Sequence, residues 1–180
     1  MDLIETQISS ETIASGGMLT VKRDQVRLPN GNISQREYVM HPGAVVVVPV
    51  LPNGNIVLEK QFRYPLHQVF IELPAGKIDA GEAILVTGQR ELLEETGYSA
   101  DEWIKLGHQH PCIGYSNEVI HMYLARGLQQ GSHQRDEDES LEVFEASLAD
   151  CIRMIEGGEI TDGKTIVTLL LAEKYLARHS

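Results

Sequence analysis

The sequence predicts an α/β fold: a mixed β-sheet flanked by helices, with an antiparallel β-hairpin ahead of it. Three observations predict it. Short alternating or valine-rich runs are punctuated by two Pro-Asn-Gly-Asn turns. One helical stretch, residues 82–96, ends at Gly97. Two further helical stretches near the C-terminus start at good capping residues, Ser147 and Asp162.

In chain order, residues 18–28 (MLTVKRDQVRL) alternate like a strand, residues 29–32 turn, and residues 33–40 read as the returning strand. His41-Pro42-Gly43 punctuates. Residues 44–51 are rich in valine, which suits a strand buried on both faces better than a helix. A second turn at residues 52–55 leads to a strand over 56–63. Residues 69–73 are short and apolar and are broken by Pro74-Ala75-Gly76. The helix over 82–96 stops at Gly97, because glycine takes the left-handed conformation cheaply. Strands are expected over 102–109 and 118–126, a polar loop over 127–140, and a short strand over 141–144. Ser147 caps a helix to about residue 156. Asp162 caps the last one, roughly 164–178, with Ile166, Leu169, Leu170 and Tyr175 as its buried stripe. The division expected is an N-terminal β subdomain over residues 1–42 and a second unit over 43–180.

Composition narrows the function classes. A chain of 180 residues, 42% apolar and 23% charged, has the length for a real core. Its net charge of −11 argues against nonspecific binding to nucleic acid or acidic lipid. It does not argue against a phosphate substrate, because a bound cation can reverse the local sign. Cys112 and Cys151 form no disulfide framework, so a reduced, cytoplasmic setting is expected. The first residues do not read as a secretory signal, and no apolar run reaches the length of a membrane span.

Residues 76–98 read GKIDAGEAILVTGQRELLEETGY, and this stretch carries the chemistry. Glu91, Glu94 and Glu95 stand at i, i+3 and i+4, one face of a helix. Taken alone, such a trio reads as a solvated acidic face. Clustered carboxylates equally suit a hard divalent cation, which in turn suits a phosphate substrate. Arg90 can orient a carboxylate through paired hydrogen bonds, or form a surface ion pair of little value. Gly76 serves a turn, and that turn can present the Ala75 carbonyl oxygen to a metal. Glu82 either favours the positive helix end or joins the metal or water site.

Gly76, Glu82, Arg90, Glu91, Glu94, Glu95 and Gly97 match, at every fixed position, the signature of the Nudix hydrolases, which the chain resembles. Seven fixed positions at about one chance in twenty each give a random match on the order of one in a billion. Gln61-Phe62-Arg63, residues 72–76, the 111–118 loop and the Glu137/Glu139 loop resemble the ADP-ribose pyrophosphatase branch, in the same order. The resemblance spans roughly residues 36–145 and implies a Nudix-type α/β/α sandwich.

It also implies hydrolysis of a nucleoside diphosphate linked to another group. For ADP-ribose the products would be AMP and ribose 5-phosphate. Magnesium, or manganese in its place, would bridge the pyrophosphate. By the family pattern Glu91 and Glu95 are the main metal ligands, Glu94 assists, and the Ala75 carbonyl completes the cage. A loop after the box supplies the carboxylate that steers the water. Registering the next strand by Leu141 and Val143 favours Glu137 for that role, with Glu139 as its neighbour. Arg63 matches the branch's substrate arginine, although an exposed strand-end arginine reads the same way. Glu72 and Glu118 fall in the branch's substrate-binding pieces. Arg36 and Glu37, in the hairpin, correspond to a region that crosses to a second subunit and helps hold the adenine, so a homodimer is implied. Ile113 stands where this branch usually has proline; that departure leaves the cage untouched and bears on which nucleotide sugar is taken. GDP-mannose or another nucleotide sugar is the alternative substrate, and a noncatalytic nucleotide-sensing module the alternative class. An intact box speaks against the latter. His108, His110 and His121 have no ligand spacing.

Overall fold

The computed structural model describes residues 2–17, 19–131 and 140–179. Three strands, β1 (Thr6–Ser15), β2 (Thr20–Arg27) and β3 (Ile33–Met40), form an antiparallel N-terminal sheet in that order. The expected hairpin is β2–β3. Its turn closes through Leu28 N–H to Asn32 O (2.8 Å) and Asn32 N–H to Asn30 Oδ1 (3.0 Å). β1 adds a strand that the sequence reading did not foresee. Every one of its residues is exposed, so its sequence, TQISSETIAS, carries no one-sided apolar alternation to read.

β4 (Ala44–Pro49) is buried throughout, as its valine run predicts. It lies inside a mixed four-stranded sheet of order β7-β4-β9-β8, parallel to β9 (Ile120–Gln130) and antiparallel to β7 (Ala75–Lys77). β8 (Tyr98–Gln109) completes that sheet, with a bulge between Lys105 and Gly107. A third sheet has the order β10-β5-β6, from Leu141–Ser147, Asn55–Arg63 and Gln68–Glu72. The β4–β5 turn repeats the chemistry of the first: Leu51 N–H to Asn55 O and Asn55 N–H to Asn53 Oδ1, both 2.9 Å.

Alternation along β4 splits the core into two layers. Val45 and Val47 face α1 (Ile84–Thr96) and pack with Leu92, Ala125 and Trp103. Val46 and Val48 face the other way, with Leu58, Leu73, Met122, Leu124 and Leu169. α2 (Leu148–Glu156) and α3 (Gly163–Leu176) cover that second layer. The result is an α/β/α sandwich. Each fully buried leucine or valine contributes about 1.5–3 kcal/mol relative to exposure. No helix among the described residues is long and apolar enough to cross a membrane.

Several boundaries move for identifiable reasons. α1 starts at Ile84, not at residue 82, because the backbone of Ala83, its cap residue, is extended. β9 runs to Gln130 instead of ending near 126, because Leu128, Gln129 and Gln130 pair with Ala100, Ser99 and Tyr98. β7 is a three-residue strand inside what reads as a plain turn, held by Val45 and Val46. In α3 the buried positions are Thr165, Thr168, Leu169 and Ala172, while Leu170, expected in the stripe, is exposed. The two threonines can be buried because their hydroxyls are bonded, to Asp162 and to Lys164 O. The caps at Ser147 and Asp162 form as expected, each accepting the N–H three residues on.

Candidate active site

α1 delivers its carboxylates over the β7 corner. Gly97 ends the helix in the left-handed conformation (φ 77°), its N–H bonded to Leu93 O. Arg90 projects from the same helix, and all five of its N–H groups are used. Nε and Nη2 grip both oxygens of Glu82 (2.9 and 3.0 Å), Nη1 reaches Glu91 (2.8 Å) and Glu94 (3.0 Å), and Nη2 also donates to Lys77 O (3.2 Å). The paired hydrogen bonds from Arg90, then the one from Thr87, hold the Glu82 carboxyl down at about 2. Glu82 is therefore ionised at every pH where the protein would work. It belongs to the site as the anchor of Arg90. The reciprocal bond raises the Arg90 guanidinium above its ordinary value.

The corner at residues 72–77 is fixed from three sides. Leu73 N–H donates to Thr165 Oγ1 (2.9 Å), Pro74 O accepts from Val47 N–H (2.9 Å), and Ala75 N–H donates to Glu95 Oε2 (2.9 Å). Glu95 is only 3% exposed. Gly76 is required by close approach: a Cβ there would lie 1.9 Å from the Glu91 carboxylate. The Glu91 carboxylate thus occupies the space that any larger residue at 76 would fill.

Glu91, Glu95, Ala75 and Gly76 line a cavity of about 370 Å³. Arg63, Gln61, Lys164, His41 and Glu118 contribute to the same cavity. Arg63 grips Glu72 with Nε and Nη2, both at 2.7 Å, and Lys164 donates to the same carboxylate and to Asp162 (2.9 Å). Glu72 is 2% exposed. Burial pushes its carboxyl up, but the bonds from Arg63 and the charge of Lys164 outweigh burial and hold it below the usual carboxylate range. Glu72 therefore orients Arg63 and Lys164 from behind. Glu118 lies 3.6 Å from His41 Nδ1.

The other expected residues fall as follows. Glu94 is held by Arg90 and is not among the residues lining this cavity. Arg36 pairs with Glu5 (2.9 Å) and Glu37 with Arg23 (2.8 Å), both on the N-terminal sheet. They line a separate cavity of about 240 Å³ with Tyr38 and residues 113–117. The chain does not bring them to Glu91. Glu137 and Glu139 lie outside the described residues. Gln61, read from the sequence only as part of the Gln61-Phe62-Arg63 piece, and Lys164, in no motif, also line the cavity. Lys164 had a legible signal: a lysine in the first turn of a capped helix sits at the positive end of the dipole, where a cation is disfavoured unless something holds it.

Among the described residues, no three His, Cys, Asp or Glu side chains converge to hold an ion as they stand. The donor set nevertheless fits a hard divalent cation. Glu91 lies in the space a Cβ at residue 76 would fill, Glu95 is buried beside it at the corner, and both open on the same cavity as the Ala75 backbone.

Residues 40–166 match the NUDIX domain, and residues 5–39 match the nucleoside diphosphate sugar hydrolase N-terminal domain. Members of the NUDIX family generally use divalent metal ions. The chain is 42% identical over 165 residues to the ADP-ribose pyrophosphatase of Bacillus subtilis (strain 168), covering 91% of this chain and 89% of that one. It is 40% identical over 169 residues to the methanol dehydrogenase activator of Bacillus methanolicus, covering 92% and 90%. A crystal structure of an ADP compounds hydrolase superposes with a TM-score of 0.90 over 100% of this chain and 98% of that one; at 23% identity this likeness bears on the fold alone. With its carboxylate box intact and both family matches in sequence order, the chain belongs to the Nudix hydrolases and carries the N-terminal domain of the nucleoside diphosphate sugar hydrolases.

Proposed function

We propose that this Nudix hydrolase cleaves the pyrophosphate bond of ADP-ribose, giving AMP and ribose 5-phosphate, with magnesium (or manganese) as its ion. The observation that carries the reading is the shared cavity: Glu91 and Glu95 with the Ala75–Gly76 backbone, and Arg63 with Lys164, line the same space. The name of the Bacillus subtilis relative supports ADP-ribose among nucleotide sugars.

Glu91, Glu95 and the Ala75 carbonyl would hold the ion, with Glu94 assisting. When bound, the ion supplies charge neutralisation at the phosphoryl oxygens and Lewis-acid activation of the attacking water. Arg90 keeps Glu91 and Glu94 in place, anchored by Glu82. Glu72 fixes the fork of Arg63, whose free edge suits a phosphate or ribose-phosphate oxygen. Glu118 offers a carboxylate acceptor in the same cavity for a substrate hydroxyl. Glu137 is the base that steers the water, with Glu139 as its neighbour. That choice follows the family pattern, with the next strand registered by Leu141 and Val143.

The same reading includes a homodimer. β1 is exposed along its whole length and carries Ile8 and Ile13 on the surface, and Ile33 is exposed on β3. A second subunit covering that sheet would bring Arg36 and Glu37 to a substrate. The division near residue 42 into an N-terminal β subdomain and a hydrolase body belongs to this reading, supported by the two family matches. A cytoplasmic setting is supported by the free thiols of Cys112 and Cys151.

The test is a panel of ADP-ribose, GDP-mannose, UDP-glucose and NADH with magnesium, products separated by chromatography. ADP-ribose is expected to give the highest kcat/KM, by about tenfold or more over the others, the scale set by pocket contacts that differ between bases and sugars. A higher kcat/KM for GDP-mannose would displace ADP-ribose as the substrate.

A further inference from the structure

α3 begins inside the wall of the catalytic cavity, and its first turn touches the site at two points. Asp162 Oδ2 caps the helix, accepting from Thr165 N–H (3.0 Å), Thr165 Oγ1–H (2.6 Å) and Lys164 Nζ (2.9 Å). The Thr165 hydroxyl has one proton and gives it to Asp162. Its lone pair is then free to accept from Leu73 N–H (2.9 Å). Thr165 is fully buried, so water cannot replace it as the partner of that N–H. Leu73 lies two residues before Ala75. Lys164 meanwhile donates to Glu72, the residue before Leu73, and Glu72 grips Arg63.

A cap alone explains Asp162. It does not explain a lysine held at the positive end of a helix dipole, nor a buried hydroxyl spent on a residue 92 positions away. We propose that the Asp162–Thr165 turn is a positioning element of the active site with two separable arms. Thr165 sets the Leu73–Gly76 corner for the ion, and Lys164, acting through Glu72, sets Arg63 for the substrate. The inference rests on the proposed reading of the site for which ion and which substrate are held.

The separability supplies the test. In Thr165→Val the shape of the side chain is kept and the hydroxyl is lost. Its Mn²⁺ dissociation constant, read by electron paramagnetic resonance without substrate, is expected to rise about tenfold, the effect typical of losing a group that orients a metal ligand. Thr165→Ser, which keeps the hydroxyl, is expected to restore it. In Lys164→Gln the Mn²⁺ affinity is expected to stay within about twofold of the parent, while KM for ADP-ribose at saturating metal rises about tenfold, as misplacement of a substrate-positioning group would cause. Melting temperatures are recorded for all three variants. Should both variants keep the parent's Mn²⁺ affinity and KM, or lose both measures together in step with their melting temperatures, the turn is a helix cap only and the inference fails. Should the parent protein itself bind no Mn²⁺ and leave ADP-ribose intact, the reading of the site fails instead.

Discussion

Glu95→Gln is expected to give a folded protein whose kcat falls by about a hundredfold or more, the scale of losing several kcal/mol of metal-dependent charge stabilisation. The structure says why the two effects separate. Glu95 is buried, and one of its oxygens accepts the Ala75 N–H. A glutamine keeps the size of the side chain and an oxygen to accept that bond, so the corner stays in place. What it removes is the negative charge on the cavity. Glu91→Gln is expected to behave alike, since Arg90 can still donate to the remaining amide oxygen. Circular dichroism melts and steady-state rates with ADP-ribose check the pair. A melting temperature near the parent's together with unchanged turnover in both variants would remove Glu91 and Glu95 from the chemistry.

Gly76→Ala is the second large effect, and it tests geometry in place of charge. The new methyl group would lie 1.9 Å from the Glu91 carboxylate carbon and from one of its oxygens, so that carboxylate must leave. Gly76 is paired with Val45 in β7 and is absent from the glycines with positive φ, so the backbone itself accepts an alanine. The cost therefore falls on the position of Glu91, and through it on Arg90. Activity is expected to drop about a hundredfold, in the range known for misplacing a reacting group by an ångström or so. Stability is expected to fall by only about 1 kcal/mol, the centre of the range for single substitutions. Combining Gly76→Ala with Glu91→Asp, which shortens the side chain, should recover part of the rate if crowding is the cause. A fully active Gly76→Ala protein would mean that Glu91 is free to sit elsewhere during turnover.

Local chemistry with one solution was legible in the sequence. The valines of β4 predict burial on both faces, the two Pro-Asn-Gly-Asn segments predict turns, Ser147 and Asp162 predict caps, and Glu91, Glu94 and Glu95 predict a shared helix face. In each case neighbours within a few residues determine the outcome. β1 and β7 were not legible, because one is exposed along its whole length with no one-sided apolar pattern and the other exists only through its pairing with β4. The part of Glu82 is half legible: its place suits a helix end or a metal site, while the clamp on Arg90 spans eight residues across a turn. The place of Lys164 at the positive end of a helix signals that something holds it, but its partner, like that of Thr165, lies 92 positions away, where no local pattern marks it. Arg36 and Glu37 pair with Glu5 and Arg23 within this chain, and a role for them at a substrate belongs to the proposed dimer.

The central claim, that the Glu91–Glu95 face holds a divalent ion for cleavage of ADP-ribose, is met most directly by one rate measurement. The purified protein is stripped with EDTA, and AMP release from ADP-ribose is followed first in excess EDTA and then as magnesium is added beyond the chelator. The account predicts no turnover above the uncatalysed rate in EDTA and full recovery on adding magnesium. Equal turnover in both conditions would contradict it.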